Sequence, residues 1–317
     1  MYGATGFIGN TMSGYFGSKS SDIIYPVRPR LKFDDRMKAL KVNNYTGTYY
    51  VNRNTDFYDI ATLDKVNRNS DVVINMIGPA RYHVRNLSQF KEANMETPKR
   101  IARSARRSGI KQFVHFSAIG VDPRSDSLDL QTKFYGEKEV LDEFPEATIV
   151  RLAPVIGEDD YFLDKIFRTI KHFGTFIPVS DNLEAKKQPI LVEDVAQAVG
   201  NILQMKEAQG KTYELGGPFV YTTKDLIEMF MTEMEHNFKL LYIPRSWVLL
   251  YTDWVSHRVM NRDDLTKYRL DQIVDTSGSV GTIEDLMLQP NSIANYVKRY
   301  CYKKKRNIAM TKMQSEE

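Results

Sequence analysis

Residues 3–9 read Gly-Ala-Thr-Gly-Phe-Ile-Gly, a glycine-rich loop typical of dinucleotide-binding folds. Such a loop joins a first strand to a first helix. Its first glycine allows a tight turn, the second lets the backbone approach a pyrophosphate, and the third lets the helix pack close to the sheet. The helix N-terminus then directs N–H groups at the phosphates. Turns also use glycine for conformational reasons alone, but the helix predicted at 11–17 and the strand predicted at 23–28 favour dinucleotide binding.

The composition indicates a soluble globular protein with a sizeable core. The chain has 317 residues, of which 42% are hydrophobic and 26% are charged. A net charge of +4 is too weak to indicate nucleic-acid binding, and no basic stripe with interleaved aromatic residues occurs. The single cysteine, Cys301, excludes an internal disulfide and fits a reducing compartment such as the cytosol or the mitochondrial matrix. No apolar run reaches the roughly 18 residues of a membrane span.

The first half of the chain alternates short apolar runs with charged helical stretches, as in a parallel sheet wound with helices. Further strands are predicted at 49–51, 71–78, 111–117 and 147–152, and further helices at 94–108 and 133–144. Only Met1 and Tyr2 precede the glycine loop, so either the first strand is very short or the numbering begins inside a longer protein. The predicted fold class is α/β, with a Rossmann-like doubly wound parallel sheet.

Beyond Pro154 the alternation of short apolar runs with charged helical stretches changes. This change predicts a smaller C-terminal α/β lobe interleaved with the sheet. Helices are predicted at 161–173, from 193 and from 223, and strands at 188–192 and 211–217. From Leu240 the periodicity is weak and no element is assigned. The predicted organisation is a dinucleotide-binding domain at 1–155, the lobe at 156–300 and a basic tail at 301–317.

Arg28, at the end of the predicted second strand, is the most discriminating candidate site residue. An acidic residue there would accept the ribose 2′-OH of NAD, whereas an arginine suits the 2′-phosphate of NADP. No acid follows before Asp34, so the sequence favours NADP(H). The alternative is that Arg28 and Arg30 are a solvated pair on a surface loop.

Other strand ends supply weaker candidates. Asp56 either meets the adenine edge or is an exposed turn residue. Asn75 and Ser117 either bond the ribose or nicotinamide or satisfy nearby backbone groups. The five histidines have no metal-ligand spacing, so no metal site is predicted and they are interpreted as structural or surface residues.

A catalytic tyrosine–lysine pair is missing. Reductases of this architecture usually carry a tyrosine four residues before a lysine, which lowers the phenol pKa for proton transfer. Lys133 stands in the expected stretch, but the residue four positions before it is Asp129. Tyr135 is followed four residues later by Glu139 and does not restore the motif. Lys133 is therefore expected to hold the nicotinamide ribose, and no catalytic residue is predicted.

Several runs together carry a resemblance to one family. They are the glycine loop, Asp-Val-Val-Ile-Asn-Met-Ile-Gly at 71–78, Phe-Val-His-Phe-Ser at 113–117, Gly-Glu-Lys-Glu-Val at 136–140 and Phe-Pro-Glu-Ala-Thr-Ile-Val at 144–150. The chain resembles the NADPH-binding accessory subunits of mitochondrial respiratory complex I (NADH:ubiquinone oxidoreductase), an atypical family of extended short-chain dehydrogenases. The resemblance covers residues 3 to about 286, and only loosely 240–281.

The resemblance implies a tightly held NADPH without turnover. It also implies a position on the matrix arm beside the membrane junction, at the matrix side of the inner mitochondrial membrane, with other complex I subunits as partners. Asp129, where relatives can keep tyrosine, weakens any expectation of catalysis and leaves cofactor binding untouched. On the matching positions, the implied cofactor contacts are Gly3, Thr5, Gly6, Phe7, Ile8, Arg28, Asp56, Ile77, Gly78, Ser117, Lys133 and Pro154.

Two C-terminal segments have two interpretations each. The run from Trp247 to Trp254 suits an amphipathic segment at a membrane surface or subunit interface, or a buried helix of the lobe. The basic run 303–306 suits contact with anionic lipid, or a solvated tail.

Three functions follow from these observations. The first is a structural complex I subunit in which NADPH stabilises the fold or senses redox state. The second is an active NADP-dependent reductase or epimerase, which the missing tyrosine disfavours. The third is a free NADP-sensing regulator that docks on another protein. The first is favoured.

Overall fold

The computed structural model describes residues 1–28, 46–52, 54–79, 86–158, 160, 162–163, 166–167, 176–179, 183–235, 239–244, 247 and 262–316. The first half contains strands β1 (Ile23–Pro26), β2 (Tyr49–Asn52), β3 (Val72–Asn75), β4 (Gln112–Ala118) and β5 (Thr148–Leu152). Its helices are α1 (Phe7–Gly17), α2 (Ile60–Asn67), α3 (Leu87–Lys91), α4 (Thr97–Arg107) and α5 (Leu128–Glu143), with a π-helical turn at Glu92–Glu96.

The second half adds short strands and four longer helical segments. Its strands are β6 (Val155–Ile156), β7 (Phe176–Val179), β8 (Lys186–Lys187), β9 (Ile190–Leu191), β10 (Thr212–Leu215), β11 (Tyr221–Thr222) and β12 (Lys239–Tyr242). Its helices are α6 (Val192–Gln204), α7 (Thr223–Met234), α8 (Arg262–Tyr268) and α9 (Ala294–Glu316), with 3₁₀ turns at Lys206–Ala208 and Glu284–Leu286.

A parallel sheet forms the centre of the molecule. Strands β10, β5, β4 and β3 pair in that order, and β1 pairs with β2. Met1 and Tyr2 join the two groups of strands. The Met1 nitrogen donates to Ile24 O at 2.8 Å, and the Tyr2 N–H donates to Ile74 O at 2.9 Å. Tyr2 also forms an isolated parallel bridge with Asn75, and the resulting strand order is that of a doubly wound sheet.

Both faces of the sheet are buried, as a doubly wound fold requires. Val114 and Phe116 of β4 pack into the cluster that includes Met12 of α1 and Val199 of α6. Phe113 of the same strand packs into the opposite cluster with residues of α2, α4 and α5. A third cluster, built around Phe230, closes the C-terminal lobe. The predicted α/β class is confirmed.

Predicted elements and observed elements differ mainly at helix starts. The helix predicted at 11–17 begins at Phe7, directly after its N-cap Gly6, and the helix predicted at 133–144 begins at Leu128. The latter start is fixed by Ser127, whose side chain accepts the Leu130 N–H at 3.3 Å. The strand predicted at 71–78 is shorter, and the helix predicted at 94–108 starts with the π-helical turn.

In the second half, the helices predicted from 193 and 223 are observed as α6 and α7, and β9 and β10 fall in the predicted strand ranges. Most of the helix predicted at 161–173 lies outside the described residues. The basic run 303–306 belongs to helix α9, and Cys301 on that helix is buried.

Candidate functional site

The glycine loop forms a close-fitting turn at the carboxyl edge of the sheet. Gly3 has a φ of +81°, and a Cβ there would lie 2.9 Å from the backbone of Met76, just past β3. A Cβ on Gly9 would overlap the Gly3 carbonyl oxygen and lie 2.6 Å from Ala4 Cα. These two positions therefore accept no larger side chain without movement of the backbone.

Helix α1 starts at this loop and points its N-terminus at the strand ends. Its N-cap, Gly6, has no side chain to occupy the first-turn N–H groups, and the first helical bond runs from Asn10 N to Gly6 O at 2.9 Å. Ile8 follows in the first turn, and the Phe7 ring packs so closely on Gly157 that a Cβ there would lie 2.9 Å from Phe7 Cε2. A helix start of this kind suits a phosphate group.

Arg28 follows β1 at the same edge. It is exposed, and its guanidinium carbon lies 5.5 Å from the centre of the buried Phe57 ring. This contact holds the charge at the strand end, where a 2′-phosphate is expected. Asp56 is also exposed, and its Oδ1 accepts the Tyr58 N–H at 2.9 Å, so this side chain already has a local turn partner.

A buried polar row follows β3 and β4. Asn75 Oδ1 accepts the Ile77 N–H at 3.2 Å, which matches its backbone-satisfying interpretation, and Asn75 Nδ2 lies 3.1 Å from His115 Nδ1. Since an amide nitrogen only donates, His115 Nδ1 accepts and the ring proton sits on Nε2. Burial, with a smaller contribution from the charge of Lys133, lowers the pKa of His115 to about 3, so the ring is neutral.

Ser117 ends this row, and its hydroxyl group is buried. It is 5% exposed, and among the described residues its Oγ is one of few buried side-chain atoms without a hydrogen-bond partner. Buried hydroxyls are normally satisfied, so this hydroxyl near the end of β4 is a candidate for contact with a ligand. Gly78 stands across the same edge after β3, and a Cβ there would meet no atom of the described residues within 4 Å.

Asp129 and Lys133 lie one turn apart on α5. Lys133 Nζ is 3.4 Å from Asp129 Oδ2, and Lys267 Nζ of α8 is 3.0 Å from the same oxygen. The other oxygen, Asp129 Oδ1, accepts a bond from Asn94 Nδ2 at 3.0 Å. Burial alone would raise the pKa of Asp129, but the charges of Lys133 and Lys267 outweigh it and hold the pKa well below its usual range. Asp129 is therefore ionised and has no proton to donate.

Sequence reasoning missed Asn94 and Lys267. Asn94 lies in the π-helical turn, and a Cβ on Gly136 of α5 would overlap its carbonyl oxygen, so this close approach depends on glycine. Lys267 follows Asp263 by four residues, a spacing that in sequence resembles an exposed helix pair. Its partner on α5 lies 138 positions away in the chain, which no local pattern reports.

The remaining predicted residues fall at the same edge. Thr5 lies in the glycine loop and is half-buried. Pro154 lies two residues after the end of β5, and its carbonyl accepts the Ile190 N–H at 3.0 Å. Arg30 and Asp34 lie outside the described residues. The glycine cradle, the arginine after β1 and the orphaned hydroxyl together fit a phosphorylated dinucleotide.

Comparisons with known proteins agree with this geometry. The family model described as the NAD dependent epimerase/dehydratase family matches residues 1–216. Among solved structures, MoeE5 in complex with UDP-glucuronic acid and NAD superposes with a TM-score of 0.71 at 16% identity, covering 96% of this chain and 98% of that one. At that identity the likeness shows the fold alone.

Two curated relatives extend the match over nearly the whole chain. The mitochondrial NADH-ubiquinone oxidoreductase 40 kDa subunit of Neurospora crassa is 30% identical, over 95% of this chain and 77% of the relative. The mitochondrial NADH dehydrogenase [ubiquinone] 1 alpha subcomplex subunit 9 of Arabidopsis thaliana is 31% identical, over 93% of this chain and 75% of the relative.

Proposed function

Because the chain belongs to the NAD dependent epimerase/dehydratase family and, within it, to the family of the mitochondrial NADH-ubiquinone oxidoreductase 40 kDa subunit, we propose that it is a non-catalytic accessory subunit of that complex. The match to the Neurospora crassa subunit over 95% of the chain carries this proposal. The alternative of an active reductase or epimerase draws support from the family model and from the fold, but the solved enzymes with that fold are below 25% identity.

NADPH is the cofactor proposed for the dinucleotide site. The loop residues Gly3 to Ile8 would hold the pyrophosphate, and Arg28 would meet the 2′-phosphate as a charge-assisted hydrogen-bond donor. Ser117 and Lys133 would hold the nicotinamide ribose, with Ile77, Gly78 and Pro154 lining the path between. The orphaned Ser117 hydroxyl supports the site, and the absence of an acid at position 28 supports the phosphorylated form.

The proposed role is to hold the cofactor and not to turn it over. When bound, NADPH supplies a hydride, and a carbonyl reduction also needs a proton at a positioned donor. Position 129 carries a carboxylate that two lysines keep ionised, so it supplies no proton there. A ligand bound only to the folded state stabilises it by about 4 kcal/mol at a thousandfold excess over its dissociation constant. That stabilisation suffices for a structural role and also allows redox sensing.

The proposed location is the matrix side of the inner mitochondrial membrane, at the junction of the matrix arm with the membrane. The names of both relatives contain the word mitochondrial. Within the part of the chain that the structure describes, no helix combines the length and apolar character of a membrane span. Trp247 is 69% exposed and available for a peripheral contact, while the rest of the run to Trp254 lies outside the described residues.

The test of membership is co-migration. Mitochondria from the source cells are solubilised in mild detergent and separated on a native gel, and an antibody against the full chain is compared with in-gel NADH dehydrogenase staining. We expect the antibody signal and the activity band to coincide. A signal found only at the mass of the free protein would contradict the proposal and favour a separate regulator.

A further inference from the structure

Residues 262–275, here called the strap, connect the C-terminal lobe with the dinucleotide-binding half. On the lobe side, the buried Lys187 ammonium donates to Lys267 O at 2.8 Å, to Leu270 O at 2.6 Å and to Gln272 Oε1 at 3.0 Å. Gln272 also pairs its backbone with β8, donating to Lys186 O at 2.8 Å. The strap is thereby fixed to the lobe by a buried cation and by backbone bonds.

On the other side, the strap reaches the start of α5. Asp263 accepts from Ser127 Oγ at 3.0 and 3.1 Å and from the Asp129 N–H at 3.3 Å. Lys267 Nζ lies 3.0 Å from Asp129 Oδ2 and 3.4 Å from Asp263 Oδ2. Asp129 is 5% exposed, so its charge has little help from water and depends on these partners.

Asp129 Oδ2 forms ion pairs with two lysines, Lys133 and Lys267, that lie in different parts of the protein. Lys267 belongs to the strap, whereas Lys133 belongs to the proposed cofactor site. If Lys267 neutralises Asp129, the Lys133 ammonium is available to a ligand. Without Lys267, Lys133 is the remaining cation paired with this carboxylate among the described residues, and the carboxylate draws it away from the ligand.

We propose that Lys267 is a positioning residue for the cofactor. Its ion pair with Asp129 couples occupancy of the dinucleotide site to how firmly the strap is bound to the start of α5. This inference rests on the proposed NADPH site. Coupling between two sites is reciprocal, so bound NADPH, by engaging Lys133, makes Asp129 rely more on Lys267 and holds the strap more firmly.

The first experiment is hydrogen–deuterium exchange on the full-length wild-type chain, with and without saturating NADPH. We expect slower exchange in peptides covering 262–275 when NADPH is present, and unchanged exchange in a control peptide covering 226–234 of α7. Equal exchange of the strap peptide in both conditions would overturn the coupling, and this readout requires no variant to fold.

The second experiment is a double-mutant cycle on NADPH affinity, measured by calorimetry. Lys267→Met is expected to weaken NADPH about tenfold, within the range typical of coupled sites. In an Asp129→Asn background the same change is expected to have almost no effect, because no carboxylate remains to capture Lys133. Lys267→Arg should restore affinity, and Lys224→Met, at an exposed lysine of α7, is the matched control.

Either of two results in the cycle would overturn the proposal. One is that Lys267→Met binds NADPH like the wild type, and the other is that it loses affinity equally in both backgrounds, as a general structural defect would. Failure of the cofactor site itself is visible separately, because the wild-type chain would then show no NADPH binding at all. That outcome would also remove the basis of the coupling.

Discussion

Gly9→Ala is the substitution that tests the glycine loop most sharply, because helix α1 contains its own control. At Gly9 a Cβ would overlap the Gly3 carbonyl oxygen and lie 2.6 Å from Ala4 Cα, and both atoms belong to the backbone. At Gly14, on the same helix, a Cβ would meet nothing within 4 Å. The two variants therefore add the same methyl group to the same helix, and only one of them must displace the loop.

The difference between the two variants isolates the steric cost. Alanine favours a helix over glycine by about 1 kcal/mol, and this gain applies to both. Forcing a methyl group into a filled space costs about 1–3 kcal/mol. We expect Gly14→Ala to stabilise the protein by up to about 1 kcal/mol, and Gly9→Ala to be about 1–3 kcal/mol less stable than Gly14→Ala.

The assay is urea unfolding of both variants at pH 7 without nucleotide, followed by NADPH titration of the folded proteins. Gly9→Ala should also bind NADPH more weakly, because the loop that carries the first-turn N–H groups must shift. Gly14→Ala should bind like the wild type. If the two variants are equally stable and bind NADPH equally well, the close packing of α1 on the loop is refuted.

Three further substitutions test separate contacts. Arg28→Glu should weaken the affinity for NADPH about tenfold or more while reducing the affinity for NADH less. The control is Arg68→Glu, at an exposed residue at the end of α2. Equal loss of affinity for both nucleotides would show that Arg28 does not contact the 2′-phosphate. His115, whose pKa falls from 6.5 to about 3 on burial, contributes stability that is present above pH 6.5 and lost as the pH falls toward 3. Lowering the pH from 7 to 5 should therefore cost the wild type about 2 kcal/mol more than His115→Gln in urea unfolding, and equal losses would contradict the buried neutral ring. Arg151→Met leaves two carboxylates, each 7% exposed, without their cation and should cost about 3–5 kcal/mol. The control Arg103→Met, at an arginine that is 45% exposed and pairs with a 20% exposed Glu143, should cost about 0–1 kcal/mol. Similar losses in thermal unfolding would contradict the burial argument.

Local patterns in the sequence were sufficient to predict the strands, the helices α1, α4 and α5, and the strand-end residues of the first half of the chain. The glycine spacing, the apolar runs and the strand-end residues each report on chain segments a few residues long, and the structure places them together at one edge. The same reasoning found Asp129 four residues before Lys133, and the two form an ion pair on α5. The first residues of helices α1 and α5 were not predicted correctly. They depend on the caps Gly6 and Ser127 and not on hydrophobic periodicity.

Contacts between distant segments could not be predicted in this way. The strap lies in the stretch with the weakest periodicity, and its main contacts are polar bonds to Asp129 and Lys187, 138 and 80 positions away. The π-helical turn at Glu92–Glu96 likewise packs closely against Gly136, a contact that no single-segment pattern contains. These are the parts of the candidate site that required the structure.

The most direct test of the proposed function is the identity of the nucleotide that the native protein carries. The protein is purified without added cofactor, denatured, and the released nucleotide is identified and counted by mass spectrometry. We expect close to one NADPH, or its oxidised form, per chain. Recovery of NAD, or of no nucleotide, would contradict the assignment of Arg28 and of the cofactor site.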